Sequence, residues 1–92
     1  MFEWNAAKAV RNAANHQGVT FEEAATVFND ARMLIEPDYD HSEYEQRFWA
    51  SGFSEQGRIL LVVFVYRGEN IHLISARKAT PRERTNYGNQ TD

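Results

Sequence analysis

The chain contains no cysteine, so a disulfide framework and a thiolate metal site are both excluded. It shows no basic-then-apolar leader and no apolar run near the ~18 residues that a membrane-crossing helix needs, and the simplest expectation is a cytosolic protein away from the membrane. A Gly-rich phosphate loop and a Gly-x-Ser-x-Gly nucleophile elbow are both missing. So are internal repeats and low-complexity segments. The three histidines, His16, His41 and His72, lack the close pairing expected of a zinc site, and no cofactor is expected.

What is present fits one folded domain covering residues 1–92, with 42% hydrophobic and 25% charged residues. A chain of this size can bury one modest core. Its charge is unevenly spread. Residues 1–46 hold three basic side chains (Lys8, Arg11, Arg32) against nine acidic ones, a net of −6, whereas residues 47–92 hold seven basic against four acidic, a net of +3. The overall −3 hides a cationic end able to meet phosphate or an acidic partner, while the acidic balance argues against indiscriminate coating of nucleic acid.

Local patterns predict two helices, four antiparallel strands and one helix, an α+β domain. Asn5 caps a helix from Ala6 to about Asn15 whose small residues Ala6, Val10, Ala13 and Ala14 share a face, and Gly18 stops it. Thr20-Phe21-Glu22-Glu23 reads as a capping box, and Phe21, Ala24, Ala25 and Phe28 recur at the spacing of one buried stripe. Phe2 and Trp4 read as an extended stretch lying on the sheet. From Arg32 the period changes to that of strands: Met33 to Ile35 before Pro37, Arg47 to Phe53, the nearly continuous apolar run Arg58 to Tyr66, and Ile71 to Arg77. The acidic segment Pro37 to Gln46 is long for a plain turn, which makes it a candidate functional loop whose ends extend the strands. Thr80-Pro81-Arg82-Glu83 combines an N-cap, a proline at the first helical position and a capping-box glutamate, so a short helix is predicted from Pro81 to about Tyr87. Residues 89–92 read as a loose tail.

Several of these segments, in this order, resemble the BrnT family of bacterial toxins. They are Phe2-Glu3-Trp4-Asn5, His16-Gln17-Gly18-Val19-Thr20-Phe21-Glu22-Glu23-Ala24, His41-Ser42-Glu43 leading to Glu45-Gln46-Arg47-Phe48, and Ile74-Ser75-Ala76-Arg77-Lys78-Ala79-Thr80-Pro81-Arg82-Glu83-Arg84. The family's usual His-Gly-Val is interrupted here by Gln17. The resemblance implies a RelE-like fold and an RNA-cleaving toxin of a type II toxin–antitoxin pair. It also implies a BrnA-like antitoxin with a ribbon-helix-helix DNA-binding domain, which represses its operon as a complex with the toxin.

The residues themselves suit metal-free RNA cleavage, in which the 2′-hydroxyl attacks the adjacent phosphate. That reaction needs a base, an acid and guanidinium groups on the developing charge. Arg77, where an apolar strand gives way to a capped helix, is the leading phosphate ligand; the alternative is a strand-end salt bridge to Glu22, Glu43 or Glu45. His41, Glu43 and Tyr87 are the proton-transfer candidates, set against a solvated loop for the first two and helix packing for Tyr87. Arg47, Arg58, Arg67, Lys78 and Arg84 are candidate RNA-backbone contacts, with Arg47 and Arg67 expected at one end of the sheet and Arg58 at the other. His16 and His72 read as structural or surface residues. A second function class stays open: a module of the same fold that binds protein or RNA and cuts nothing.

Overall fold

The computed structural model describes residues 1–90. The chain opens with a short strand, β1 (Phe2–Trp4), and its helices begin where side chains can satisfy free N–H groups. Asn5 accepts from the Lys8 N–H at the start of α1 (Ala6–Asn15), and Thr20 accepts from the Glu23 N–H at the start of α2 (Phe21–Thr26), which runs on into a 3-10 turn over Val27–Asn29. The capping box expected at Thr20 is only half made. Glu23 spends its carboxylate on Arg58 and Ser54 and does not return it to the Thr20 N–H.

The strands β2 (Leu34–Asp38), β3 (Arg47–Phe53), β4 (Ile59–Arg67) and β5 (Asn70–Lys78) form the expected antiparallel meander. The sheet nevertheless has five strands and is mixed, which corrects the four-stranded antiparallel expectation. β1 does not merely lie on the sheet: it pairs in parallel with β5, Phe2 opposite Ile71 and Trp4 opposite Leu73, giving the order β1-β5-β4-β3-β2. Three residues are too few to show a period, so only the distant partner makes them a strand. Pro37 falls inside β2 and not beyond it; β2 is an edge strand, where a missing N–H costs no ladder bond. The last helix, α3 (Pro81–Gly88), carries the complete Thr80–Glu83 capping box and Pro81 at its start. Asn89 and Gln90 close it, and residues 91–92 of the expected tail lie outside the described residues.

One core lies between the sheet and the N-terminal helices. Ala50, Leu60, Val62, Phe64, Leu73 and Ala76 of the sheet meet Val19, Phe21, Ala24 and Val27. The predicted stripe of α2 therefore holds, with Ala25 and Phe28 packed at its margin. The predicted face of α1 does not. Val10 is 72% exposed, whereas the polar Asn12 is turned inward. Its amide explains the rotation: Nδ2 donates to the Ala76 and Val19 carbonyls, and Oδ1 accepts from the Ala76 N–H. β1 pairs with β5 only as far as Leu73, so at Ala76 a side chain from α1 serves the free edge of β5.

The register separates two ends of the sheet. Arg77 stands opposite Leu61, and Asn70 stands opposite Arg67. Six residue steps of strand separate Leu61 from Arg67, roughly 20 Å at the usual rise. Lys78, Arg77 and the start of α3 occupy one end; Arg47, Arg67 and the loop before β3 occupy the other.

Candidate functional site

At the loop end, β2 leads into a 3-10 turn (Tyr39–His41), and the chain returns to β3 at Arg47. An open cleft of about 470 Å³ there is lined by Asp40, His41, Glu43, Tyr44, Glu45 and Arg47. It unites three of the sequence candidates, His41, Glu43 and Arg47. His41 Nδ1 lies 3.0 Å from the Asp38 carboxylate, and Arg67 grips Glu45 through its Nε and one terminal nitrogen, at 3.0 and 2.9 Å. The bond from Arg67 holds the Glu45 carboxyl below its ordinary range. Three carboxylates line the space with one arginine, a balance that repels a phosphodiester.

The second cleft, about 190 Å³, opens at the other end, where α1 stops beside the last residues of β5. Asn15, His16, Gln17, Arg77 and Lys78 line it, two cations and an imidazole with no carboxylate among them. The sequence reading joined Arg77 to Lys78 but set His16 aside, and it did not bring Gln17 in. No local pattern links residue 16 to residue 77; Asn12 does, by bonding to Val19 on one side of the turn and to Ala76 on the other.

Arg77 makes a strand-end ion pair, but with Glu83 and not with Glu22, Glu43 or Glu45. Its two terminal nitrogens meet the two Glu83 oxygens at 2.8 and 3.0 Å, and one also donates to the Lys78 carbonyl at 3.2 Å. Glu83 sits one turn into α3, close enough for its carboxylate to serve both the capping box and the guanidinium. The bonds from Arg77, helped by the Thr80 N–H, hold Glu83 below the usual carboxylate range against the opposing effect of its burial. The pair fixes the plane of the Arg77 fork while leaving its Nε without a partner among the described residues. Arg84 donates to the Ala79 carbonyl at 3.0 Å, and Lys78 is exposed.

The remaining candidates sit elsewhere. Arg58 is bound by Glu23, its Nε and one terminal nitrogen at 2.8 and 2.6 Å from a carboxylate whose side chain is 1% exposed. That bond dominates the downward displacement of Glu23 from the carboxylate range. Tyr87 packs edge-to-face on Phe53, and its hydroxyl donates to Asp30, which also accepts from the Phe53 N–H. Burial, reinforced by the Asp30 carboxylate, pushes the Tyr87 phenol up to about 12. His72 is engaged by Glu3 at 2.9 Å.

Among the described residues no three His, Asp or Glu side chains gather as a metal ligand set, and no helix is long and apolar enough to cross a membrane. A sequence profile described as "Ribonuclease toxin, BrnT, of type II toxin-antitoxin system" matches residues 4–83. In three dimensions the chain is similar to the crystal structure of the Brucella abortus ribonuclease toxin, BrnT, with a TM-score of 0.67 and 25% identity over 87% of this chain and 97% of that one. No curated protein matches the sequence.

Proposed function

Because the chain belongs to the BrnT family of ribonuclease toxins of type II toxin–antitoxin systems, we propose that it is an endoribonuclease that cuts RNA without a metal and works at the cleft between α1 and β5. The observation that carries this reading is the pairing of Arg77 with Lys78 in a cleft whose lining includes no carboxylate, within a chain whose net charge is −3. An RNA phosphate entering there meets a guanidinium already oriented by Glu83 and an exposed ammonium beside it. Arg84 and Lys78 guide the RNA backbone toward it. The 2′-hydroxyl adds to phosphorus, the bond to the 5′-oxygen breaks, and a cyclic phosphate and a 5′-hydroxyl result. The Arg77 guanidinium holds the charge that gathers on the phosphate oxygens during this exchange.

His41, Glu43, Arg47 and Arg67 lie at the opposite end of the sheet and cannot reach the same phosphate. The partner is a BrnA-like ribbon-helix-helix antitoxin that covers the basic segment Arg77 to Arg84, silences cleavage and represses the operon jointly with the toxin.

The test is cleavage of single-stranded RNA by purified wild-type, Arg77→Ala and Arg77→Lys proteins of matched circular dichroism and melting temperature. Loss of one preorganised charge donor lowers turnover by about 10²–10³-fold, and lysine restores little because it lacks the two-point fork. Equal rates for wild type and Arg77→Ala would remove Arg77 from the mechanism. RNA binding without any product would favour the non-cleaving module instead.

A further inference from the structure

We propose that His16 is the proton-accepting residue of the α1–β5 cleft, an assignment that rests on the ribonuclease reading above. His16 ends α1: its N–H donates to the Asn12 carbonyl, and the chain then passes through two left-handed residues, Gln17 at φ 57° and Gly18 at φ 78°. The left-handed region suits Gly18, but Gln17 holds it at a cost in free energy. Among the described residues Gln17 is the only non-glycine with positive φ, and it lies on the rim of the cleft.

That turn is locked against the strand carrying the cations. Asn12 bonds to Val19, two residues past Gln17, and to both backbone groups of Ala76, the residue before Arg77. Asn12, Val19 and Ala76 are buried. His16 and Arg77 are therefore held by one buried hydrogen-bonded junction and not by mobile loops, the kind of support a reacting pair requires.

The three histidines are not equivalent. His41 bonds to Asp38 and His72 to Glu3. The half-buried His16 ring has no hydrogen-bond partner among the described residues, and the titratable groups that share its cleft are Arg77 and Lys78. Arg77 and Lys78 attract a phosphate next to the ring, and a neutral imidazole accepts a proton from the hydroxyl beside it. The imidazole takes the 2′-hydroxyl proton as that oxygen bonds to phosphorus. The 5′-oxygen leaves with its bonding pair and takes a proton from water, and the hydroxide so formed recovers the proton held by His16. No atom or electron is left over.

The test compares cleavage of single-stranded RNA between pH 5 and 8 by wild type, His16→Gln and His41→Gln, since a base titrating near neutrality imposes a rising limb there. His16→Gln is expected to lose about 100-fold or more and to lose the rising limb, with melting temperature retained and His41→Gln close to wild type. A second readout needs no turnover: in NMR titrations of the folded wild-type protein, a ribonucleoside 3′-monophosphate should move the His16 ring titration upward, and Arg77→Ala should abolish that movement. His16→Gln within about threefold of wild type with an unchanged pH profile overturns the proposal. So does a His16 resonance indifferent to saturating nucleotide. A wild-type protein that cuts no RNA removes the ribonuclease reading, and with it the proton-transfer role, whatever the nucleotide titration shows.

Discussion

Arg58 at the mouth of β4 and Glu23 in α2 close on each other in two parallel hydrogen bonds, 2.8 and 2.6 Å, while Ser54 donates to the same carboxylate at 2.6 Å. The Glu23 side chain is 1% exposed and that of Arg58 28% exposed. Removing Glu23 strands a partly buried cation and a buried hydroxyl. Glu23→Ala should cost about 3 kcal/mol, at the lower edge of the range for broken buried pairs, and urea unfolding measures it.

The same carboxylate sets an acid limit. Glu23 and Glu83 are held below 4.5 chiefly by bonds from Arg58 and Arg77, and Asp30 below 3.8 because its hydrogen bonds outweigh its burial. Folded values lower than unfolded ones mean that the unfolded chain binds more protons. The stabilisation is therefore complete above the unfolded values and fades as pH falls through the folded ones. Melting temperature should hold above about pH 5 and drop below about pH 4. Glu23→Gln, less stable throughout, should show a shallower drop.

Tyr87 supplies the opposite sign. Its phenol is pushed up to about 12, from 10.0, by burial and by Asp30, so its contribution is full below pH 10 and is lost as pH climbs toward 12. At neutral pH it stays protonated and donates to Asp30. Tyr87→Phe should remove about 1.5 kcal/mol, the value of a bond to a charged acceptor, and leave RNA cleavage within about threefold. Spectrophotometric titration of the phenol and denaturant unfolding check the two halves.

Asn12→Leu keeps the branched outline of the side chain but removes the bonds that satisfy both backbone groups of Ala76. A buried N–H and C=O left unpaired should cost about 2–4 kcal/mol in urea unfolding, far more than a substitution on an alanine-rich helix suggests.

Gln17→Gly relieves the left-handed strain at φ 57° but adds freedom to the unfolded chain. The net expected gain is about 0.5 kcal/mol, read as a higher urea midpoint.

Local sequence signals were legible wherever neighbours in the chain complete the interaction. Asn5, Thr20 and Thr80 cap the helices they were expected to cap, and the apolar run of β4 fills the core. Arg47 and Arg67 do share one end of the sheet, because antiparallel pairing follows from the short turns joining consecutive strands. The family resemblance was likewise readable from the order of short motifs spread along most of the chain.

Contacts between distant segments decided the rest. β1 exists because Ile71 to Leu73 offer an edge; the inward turn of Asn12 exists because Ala76 needs partners; Glu23 leaves its own helix cap because Arg58 arrives from the turn just before β4. The candidate site divided for the same reason. Arg77 and His41 look like partners in a list of reactive side chains, but strand register puts them at opposite ends of the sheet, while the end of α1 carries His16 to Arg77. Periodicity and capping depend on residues a few positions apart, so the sequence alone determined the helices, the four strands of the meander and their order. Which reactive groups meet depends on long-range pairing and buried hydrogen bonds, which only the tertiary structure decided.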